Sequence, residues 1–472
     1  MGSAAAVSTG ARGRAAAAVA VGDWPTWGYD AARSGDGPSV TGITAGNLHR
    51  LRRRTVHLDQ VVDSAPIELH AVTVDGQAHD VVLLTTTYGH TIAIDAASGR
   101  KLWEYVPADV GSLVGGPQVT TASPVADPDR RYVYAASPHG YVQKLTLSDG
   151  RLIWRRRITF DPTREKIAGA LNIGDGALLA VLGGYDGDTP VYQGHVIELN
   201  LASGRIEHVW NSLCSNIKQL IDPPSRCHVS DSAIWGRGGT IVERGGDILV
   251  ATGNAPFNGR TNWGDSVLEL SPTLRLLHNW TPVNQADLNA NDVDLGSTEP
   301  ALLPNAGGPP LAVQGGKDGI LRLLDLDRLD GTTGPAGPRT GGELQRIDAP
   351  GTTDVFSQPA VWQGGGRTFV FVADQAGTAA YVLGGGRLHL AWLDGAAGTS
   401  PVVAGGLLYV YDMQNGVLNV RNPVTGRLDI ALPAASGNWN SPIVVGGRII
   451  LPVGSYHDPG PGTLFIYHLP GL

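Results

Sequence analysis

His90-Thr-Ile-Ala-Ile-Asp-Ala-Ala-Ser-Gly-Arg-Lys-Leu-Trp103 is the stretch whose reading decides the architecture. An apolar run, a Ser-Gly reversal and a second short run ending in Trp make a hairpin, since glycine alone takes positive φ without steric cost. The phrase returns along the whole chain. Gly140 to Trp154 and Gly194 to Trp210 repeat it closely, and Asp265 to Trp280, Asp318 to Leu329, Gly377 to Trp392 and Gly416 to Leu432 repeat it more loosely. A truncated copy, Gly462 to His468, brings the total to eight. Before each copy stands a second phrase, a small hydroxyl residue usually followed by proline and an apolar run. It reads Ser64-Ala-Pro66, Ser123-Pro124, Thr298-Glu-Pro300, Ser357-Gln-Pro359, Ser400-Pro401 and Ser441-Pro442, with looser versions at Ala170 and Ser232. Proline lacks a backbone donor and is tolerated at the first residue of a strand, so these phrases mark the starts of inner strands.

Four strands over roughly 40 to 70 residues is the size of a propeller blade. The expected fold is therefore all-β, a single eight-bladed β-propeller of four-stranded antiparallel blades spanning residues 23–472. The copy at Gly462 is too short for a full blade. The N-terminal segment from Trp24 to Leu58 is expected to supply its missing strand, a closure that removes exposed sheet edges. Trp103, Trp154, Trp210, Trp280 and Trp392 read as wedges between blades.

Composition agrees with this. Glycine supplies 65 of 472 residues, about twice the usual share. The net charge is −8 and basic residues cluster only in short runs such as Arg52-Arg53-Arg54, which predicts no nucleic-acid footprint. No apolar run is long enough for a membrane span. Residues 1–22, rich in small residues, read as a flexible or signal-like tail. Cys214 and Cys227, the two cysteines, are compatible with one disulfide in an oxidising compartment or with two free thiols.

The repeats resemble those of the PQQ-dependent alcohol dehydrogenases (PQQ, pyrroloquinoline quinone) and their quinone-free relatives, over nearly the whole chain. Trp24-Pro-Thr-Trp-Gly-Tyr-Asp-Ala-Ala-Arg-Ser-Gly35 is similar to the start of many such propellers, and Gly99-Arg-Lys-Leu-Trp103 to their most recurrent motif. Both specify architecture rather than chemistry. Further likeness lies in mid-chain. Ala251-Thr-Gly-Asn254 resembles the stretch whose Asn binds calcium, which makes Asn254 a metal-ligand candidate. In Asn291-Asp-Val-Asp294-Leu-Gly-Ser297, Asp294 matches the general base that takes the alcohol proton and also touches the metal. In Gly315-Gly-Lys317-Asp-Gly319, Lys317 matches the cation that polarises the quinone oxygens, and the chain has only five lysines. Trp235 stands where the family places an indole under the flat quinone. Lys-Asp-Gly is also an ordinary hairpin turn.

Two departures stand against these matches. The alcohol-oxidising quinoproteins carry a disulfide between adjacent cysteines, and this chain has no adjacent pair. Where the family places a calcium-binding Glu, the sequence is Gly183-Gly-Tyr-Asp186-Gly-Asp188, so Asp188 or Asp186 would have to serve, or the letters are simply a turn. No His-Glu-x-x-His, phosphate-loop or Gly-x-Ser-x-Gly pattern is present. His195 reads as structural. The resemblance implies a PQQ- and calcium-dependent, extracytoplasmic, bacterial dehydrogenase for a small alcohol. The alternative is a non-catalytic propeller holding a protein, peptide or glycan at the channel mouth. A cofactor-free enzyme using Arg237, Asp265 and Asp294 is a third reading.

Overall fold

The computed structural model describes residues 22–471 except 224, 306–307 and 330–338. Residues 1–21, nearly all of the expected tail, lie outside the described residues. Eight four-stranded antiparallel sheets follow one another round a ring, so the chain is an eight-bladed β-propeller. The inner strands of blades 1 to 8 are Ile67–Val74, Val125–Ala126, Asn172–Gly174, Ile241–Val242, Ala301–Leu303, Ala360–Gly364, Val402–Ala404 and Ile443–Val445. All six proline phrases end one residue before their strand. The looser Ala170 lies two residues ahead of its strand, and Ser232 lies well upstream, in a long connection that carries Trp235 and Arg237.

Closure occurs in blade 8. Its strands Ile443–Val445, Arg448–Val453 and Gly462–His468 are completed on the outside by Arg52–Leu58, with Arg52 opposite His468 and Leu58 opposite Gly462. The Arg52-Arg53-Arg54 run is thus an outer-strand surface, with the Arg53 guanidinium 5.0 Å from the centre of the Phe465 ring.

The repeated letters have a packing cause. The Trp103 indole of blade 1 donates to Leu147 O of blade 2 (2.8 Å), and a Cβ at Gly150 would come within 2.4 Å of that ring. Trp154 of blade 2 repeats this on Leu201 O and Gly204, and Trp392 of blade 6 on Pro423 O and Gly426. Each Trp therefore needs a glycine in the next blade's turn. At the ring closure the neighbour of Gly99 is Val56 of the N-terminal strand, so a smaller apolar residue takes the Trp's place.

Blades stack face to face, which buries middle strands on both sides. Ala177–Leu182, Leu407–Asp412 and Arg448–Val453 are buried throughout, whereas the outer strand Leu152–Arg157 is largely exposed. Continuous apolar runs with little alternation are the sequence consequence.

The segment Trp24–Thr41 threads the channel and bonds to one inner strand after another. Trp24 pairs with Glu68 of blade 1, Pro25 O accepts from Ala126 N of blade 2, and Ala31 O from Val242 N of blade 4. Ser34 O accepts from Val361 N, Gly35 O from Val403 N and Thr41 O from Gly447 N, which reaches blades 6, 7 and 8. Arg33, 1% exposed, fixes the crossing. It donates to Gly238 O (2.9 Å), Thr26 Oγ1 (2.5 Å), Trp27 O (2.7 Å) and Leu171 O (2.8 Å). The motif that opens the propeller is thus a plug.

Candidate functional site

Above the plug, the loops leading into the inner strands and those following the second strands surround a cavity of 390 Å³. Trp235, Asp294, Lys317 and Asp188 all line it, brought from four separate stretches of chain. Asn254 does not line it.

Asp294 is the best-held group. Its Oδ2 lies 2.6 Å from Lys317 Nζ, and its Oδ1 accepts the Asn254 backbone N–H at 2.7 Å. A Cβ on Gly253 would meet that Oδ1 at 2.3 Å, which explains the glycine before Asn254. Asn254 thus meets Asp294 through its main chain. Burial raises the Asp294 carboxyl above its ordinary range, against the opposing pull of Lys317 and the Asn254 N–H. For Lys317, burial alone would lower the ammonium, but Asp294 outweighs it and the net shift is upward. Lys317 also approaches Asp292 Oδ1 (3.6 Å) and lies 5.5 Å from the Trp235 ring centre.

Asp188 accepts from the Tyr192 hydroxyl at 2.6 Å. Its carboxyl is raised by burial, with Asp292 adding to the effect. The adjacent Asp186 accepts from the Tyr456 hydroxyl and stands 3.4 Å from His457, tying the blade 3 loop to the blade 8 loop. Arg237 is paired with Asp63, at 2.8 Å to its carboxylate and 2.6 Å to its carbonyl. Aromatic rings complete the wall. Trp235 meets Phe356 (centroids 5.7 Å) and Phe356 meets Trp439 (5.0 Å). Phe356, Trp439, Tyr456 and Lys166 escaped the sequence reading because no motif carries them. The scarcity of lysine was the one signal that could have found Lys166.

These donors make a poor calcium site. Asp294 is already held by an ammonium and a backbone N–H and Asp188 by a phenol, while calcium takes six to eight oxygens. Among the described residues no group of three or more His, Cys, Asp or Glu is arranged to hold a metal. A flat anionic quinone suits the residues better, with Trp235 as an aromatic face and Lys317, Lys166 and Arg237 as cations. Asp265, named in the third reading, is fully buried behind the cavity, accepting from Leu295 N (3.2 Å) and Gln285 Nε2 (3.3 Å). His195 is fully buried between Asn211 Oδ1 (2.7 Å) and Glu165 Oε1 (3.0 Å), a structural position. Cys214 and Cys227 form a disulfide whose cluster packs on Ala255, beside Asn254, and no cysteine pair lies over the cavity.

Eight blades, a plugged channel and a charged aromatic mouth define a β-propeller with a cavity at one end of its channel. Residues 64–248 match the PQQ-repeat family model described as outer membrane protein assembly factor BamB. That stretch resembles the PQQ-repeat family, and the chain as a whole shares the eight-bladed propeller fold. No curated protein matches it by sequence. Among solved structures it is similar to the quinohemoprotein alcohol dehydrogenase of Comamonas testosteroni, at 16% identity over 95% of this chain and 81% of that one, TM-score 0.68. A europium-containing methanol dehydrogenase matches at 14% identity over 95% and 98% of the two chains, TM-score 0.69. BamB from Moraxella catarrhalis matches at 12% identity over 89% and 98%, TM-score 0.52. At such identities these likenesses show the fold. No helix among the described residues is long and apolar enough to cross a membrane.

Proposed function

We propose that the protein is a quinoprotein-type oxidoreductase that oxidises an alcohol-type substrate in the mouth cavity, with PQQ as its electron acceptor. The observation that carries this reading is the convergence of Asp294, Lys317 and Trp235 on one cavity of 390 Å³. Bound there, the quinone would supply the two-electron acceptor. Trp235 offers it a ring face, and Lys317 a charge for its oxygens. Asp294 takes the hydroxyl proton, and burial raises its proton affinity, which favours that role. No step is assigned to calcium, because the carboxylates around Lys317 are already engaged. An extracytoplasmic, bacterial setting belongs to the same proposal, and the Cys214–Cys227 disulfide supports an oxidising compartment.

A second reading, a binding or assembly scaffold for a protein, peptide or glycan, is favoured by the match of residues 64–248 to the assembly-factor model and by the missing cysteine pair. Titration of the purified chain with PQQ, with and without calcium, separates the two. Dye reduction is then followed with primary, secondary and polymeric alcohols. The dehydrogenase reading expects micromolar quinone binding and turnover that Asp294→Asn abolishes while binding persists. Absence of quinone binding at micromolar concentrations leaves the scaffold.

A further inference from the structure

Lys166 lines the same cavity but has no share in the Asp294–Lys317 pair. Its backbone is clamped in the connection between blades 2 and 3, since its N–H donates to Gly183 O (2.7 Å) and its carbonyl accepts from Gly183 N (3.0 Å). The residue is only 7% exposed. Yet among the described residues its ammonium meets no hydrogen-bond acceptor and no carboxylate within 4.0 Å. The contact it does make is with the face of Tyr456, 4.3 Å from the ring centre. Nearby charges are engaged elsewhere. Asp63 holds Arg237 at 2.8 Å and also accepts from Asn438 Nδ2 (2.8 Å) and Tyr456 N (2.9 Å). Asp186 is taken by the Tyr456 hydroxyl, with His457 beside it.

An ammonium carries three donors, and those of Lys166 open on the cavity, so the acceptor that fits them comes from there. Arg237 is offset by Asp63, so Lys166 is the cation left over for an acidic group. The chain of rings from Trp235 through Phe356 to Trp439 gives a flat group something to stack on. Burial, reinforced by Arg237, lowers the Lys166 ammonium to about 8, which leaves it charged at neutral pH.

We infer that Lys166, with Arg237 beside it, forms a carboxylate subsite, and that the ligand of this cavity is an aromatic alcohol carrying a carboxylate. The hydroxyl end of that ligand rests on the proposed dehydrogenase reading, and the carboxylate end rests on Lys166 alone.

Calorimetric titration of the full chain at pH 7 with 4-(hydroxymethyl)benzoate and with benzyl alcohol tests it. The acid should bind about tenfold or more tightly than the neutral alcohol, the effect of one charge-assisted hydrogen bond. Lys166→Met should erase that preference, and Lys166→Arg should keep it. Equal affinities, failure of both ligands to bind, or a preference that survives Lys166→Met would each overturn the inference. Adding PQQ identifies the source of the carboxylate. If the acid is displaced through Lys166 the subsite serves the quinone's carboxylate, and if both bind together it serves the substrate's. Dye reduction is read separately. Acid preference without turnover removes the dehydrogenase reading and keeps the subsite, while turnover without acid preference does the reverse.

Discussion

Removing Lys317 should cost more than removing the carboxylate it pairs with. In Lys317→Met, Asp294 keeps only the Asn254 N–H at 2.7 Å and sits 5% exposed without a counter-charge. Breaking a buried pair by deleting one partner costs about 3–5 kcal/mol. In Asp294→Asn, by contrast, Lys317 retains Asp292, at 3.6 Å to the carboxylate and 3.3 Å to the carbonyl, and its side chain is 20% exposed. The amide can still accept the Asn254 N–H, so that loss should be about 1 kcal/mol. For a chain of this length the entropy of unfolding makes 1 kcal/mol worth about 1 °C of melting temperature. Lys317→Met should therefore melt about 4 °C lower at pH 8, Asp294→Asn about 1 °C lower, and the double variant close to Asp294→Asn. The pH trend has a fixed sign. Burial already raises the Asp294 carboxyl, and without Lys317 it rises further, so the folded state holds a proton that the unfolded state releases. The defect of Lys317→Met should accordingly shrink as pH falls and the carboxyl takes up its proton. Differential scanning calorimetry from pH 5 to 8 checks all of this. A double variant destabilised by the sum of the two single losses would refute the coupling, and a defect independent of pH would refute the buried unpaired carboxylate as its cause.

Three other outcomes are expected. Arg33→Met strips four hydrogen bonds from the plug and leaves three buried carbonyls unmet, against the relief of a cation that burial lowers to about 9. The net loss should be about 3 kcal/mol, and an unchanged melting curve would show that the plug does not depend on this crossing. Burial first, then Asp30, pushes Asp36 up to about 7, so its contribution to stability is present at low pH and falls as pH rises from about 4 to 7. Asp36→Asn should be more stable than the parent at pH 8 by about 2 kcal/mol after solvent screening, with no gain at pH 4. Opening the Cys214–Cys227 link with a reductant should cost about 3 kcal/mol on the loop-entropy account and expose residues 211–230 to proteolysis. Resistance to protease in reductant would count against that tether.

Blade number and closure were legible because their causes are local and repeated. Trp103 with Gly150, Trp154 with Gly204 and Trp392 with Gly426 are one contact made three times, and a contact made by letters at fixed spacing leaves a pattern. The missing fourth strand after His468 was equally visible, since a copy that ends early needs a partner from elsewhere. The plug left no such trace. Trp24 to Gly35 could be recognised as a motif, but Arg33 bonds to residues 138 and 205 positions away, and nothing in the local sequence names them. Lys166 is hidden for the same reason, because its meaning lies in the acceptors it lacks.

The stretch Ala251-Thr-Gly-Asn254 shows how a motif can also act through its main chain. Its letters resemble a calcium-binding stretch, which implies a role for the Asn254 side chain. In the folded chain the glycine is required because Asp294 Oδ1 comes within 2.3 Å of where its Cβ would stand, and the next residue offers that oxygen a backbone N–H. Main-chain donation and the Lys317 ammonium together satisfy a carboxylate that a divalent ion would otherwise neutralise. A metal entering here would have to displace a 2.6 Å ion pair and place Lys317 against a second positive charge. The electrostatics of this mouth are thus organised around a fixed ammonium, and Lys317→Met is the substitution that should let added calcium raise the melting temperature where the parent chain shows no response.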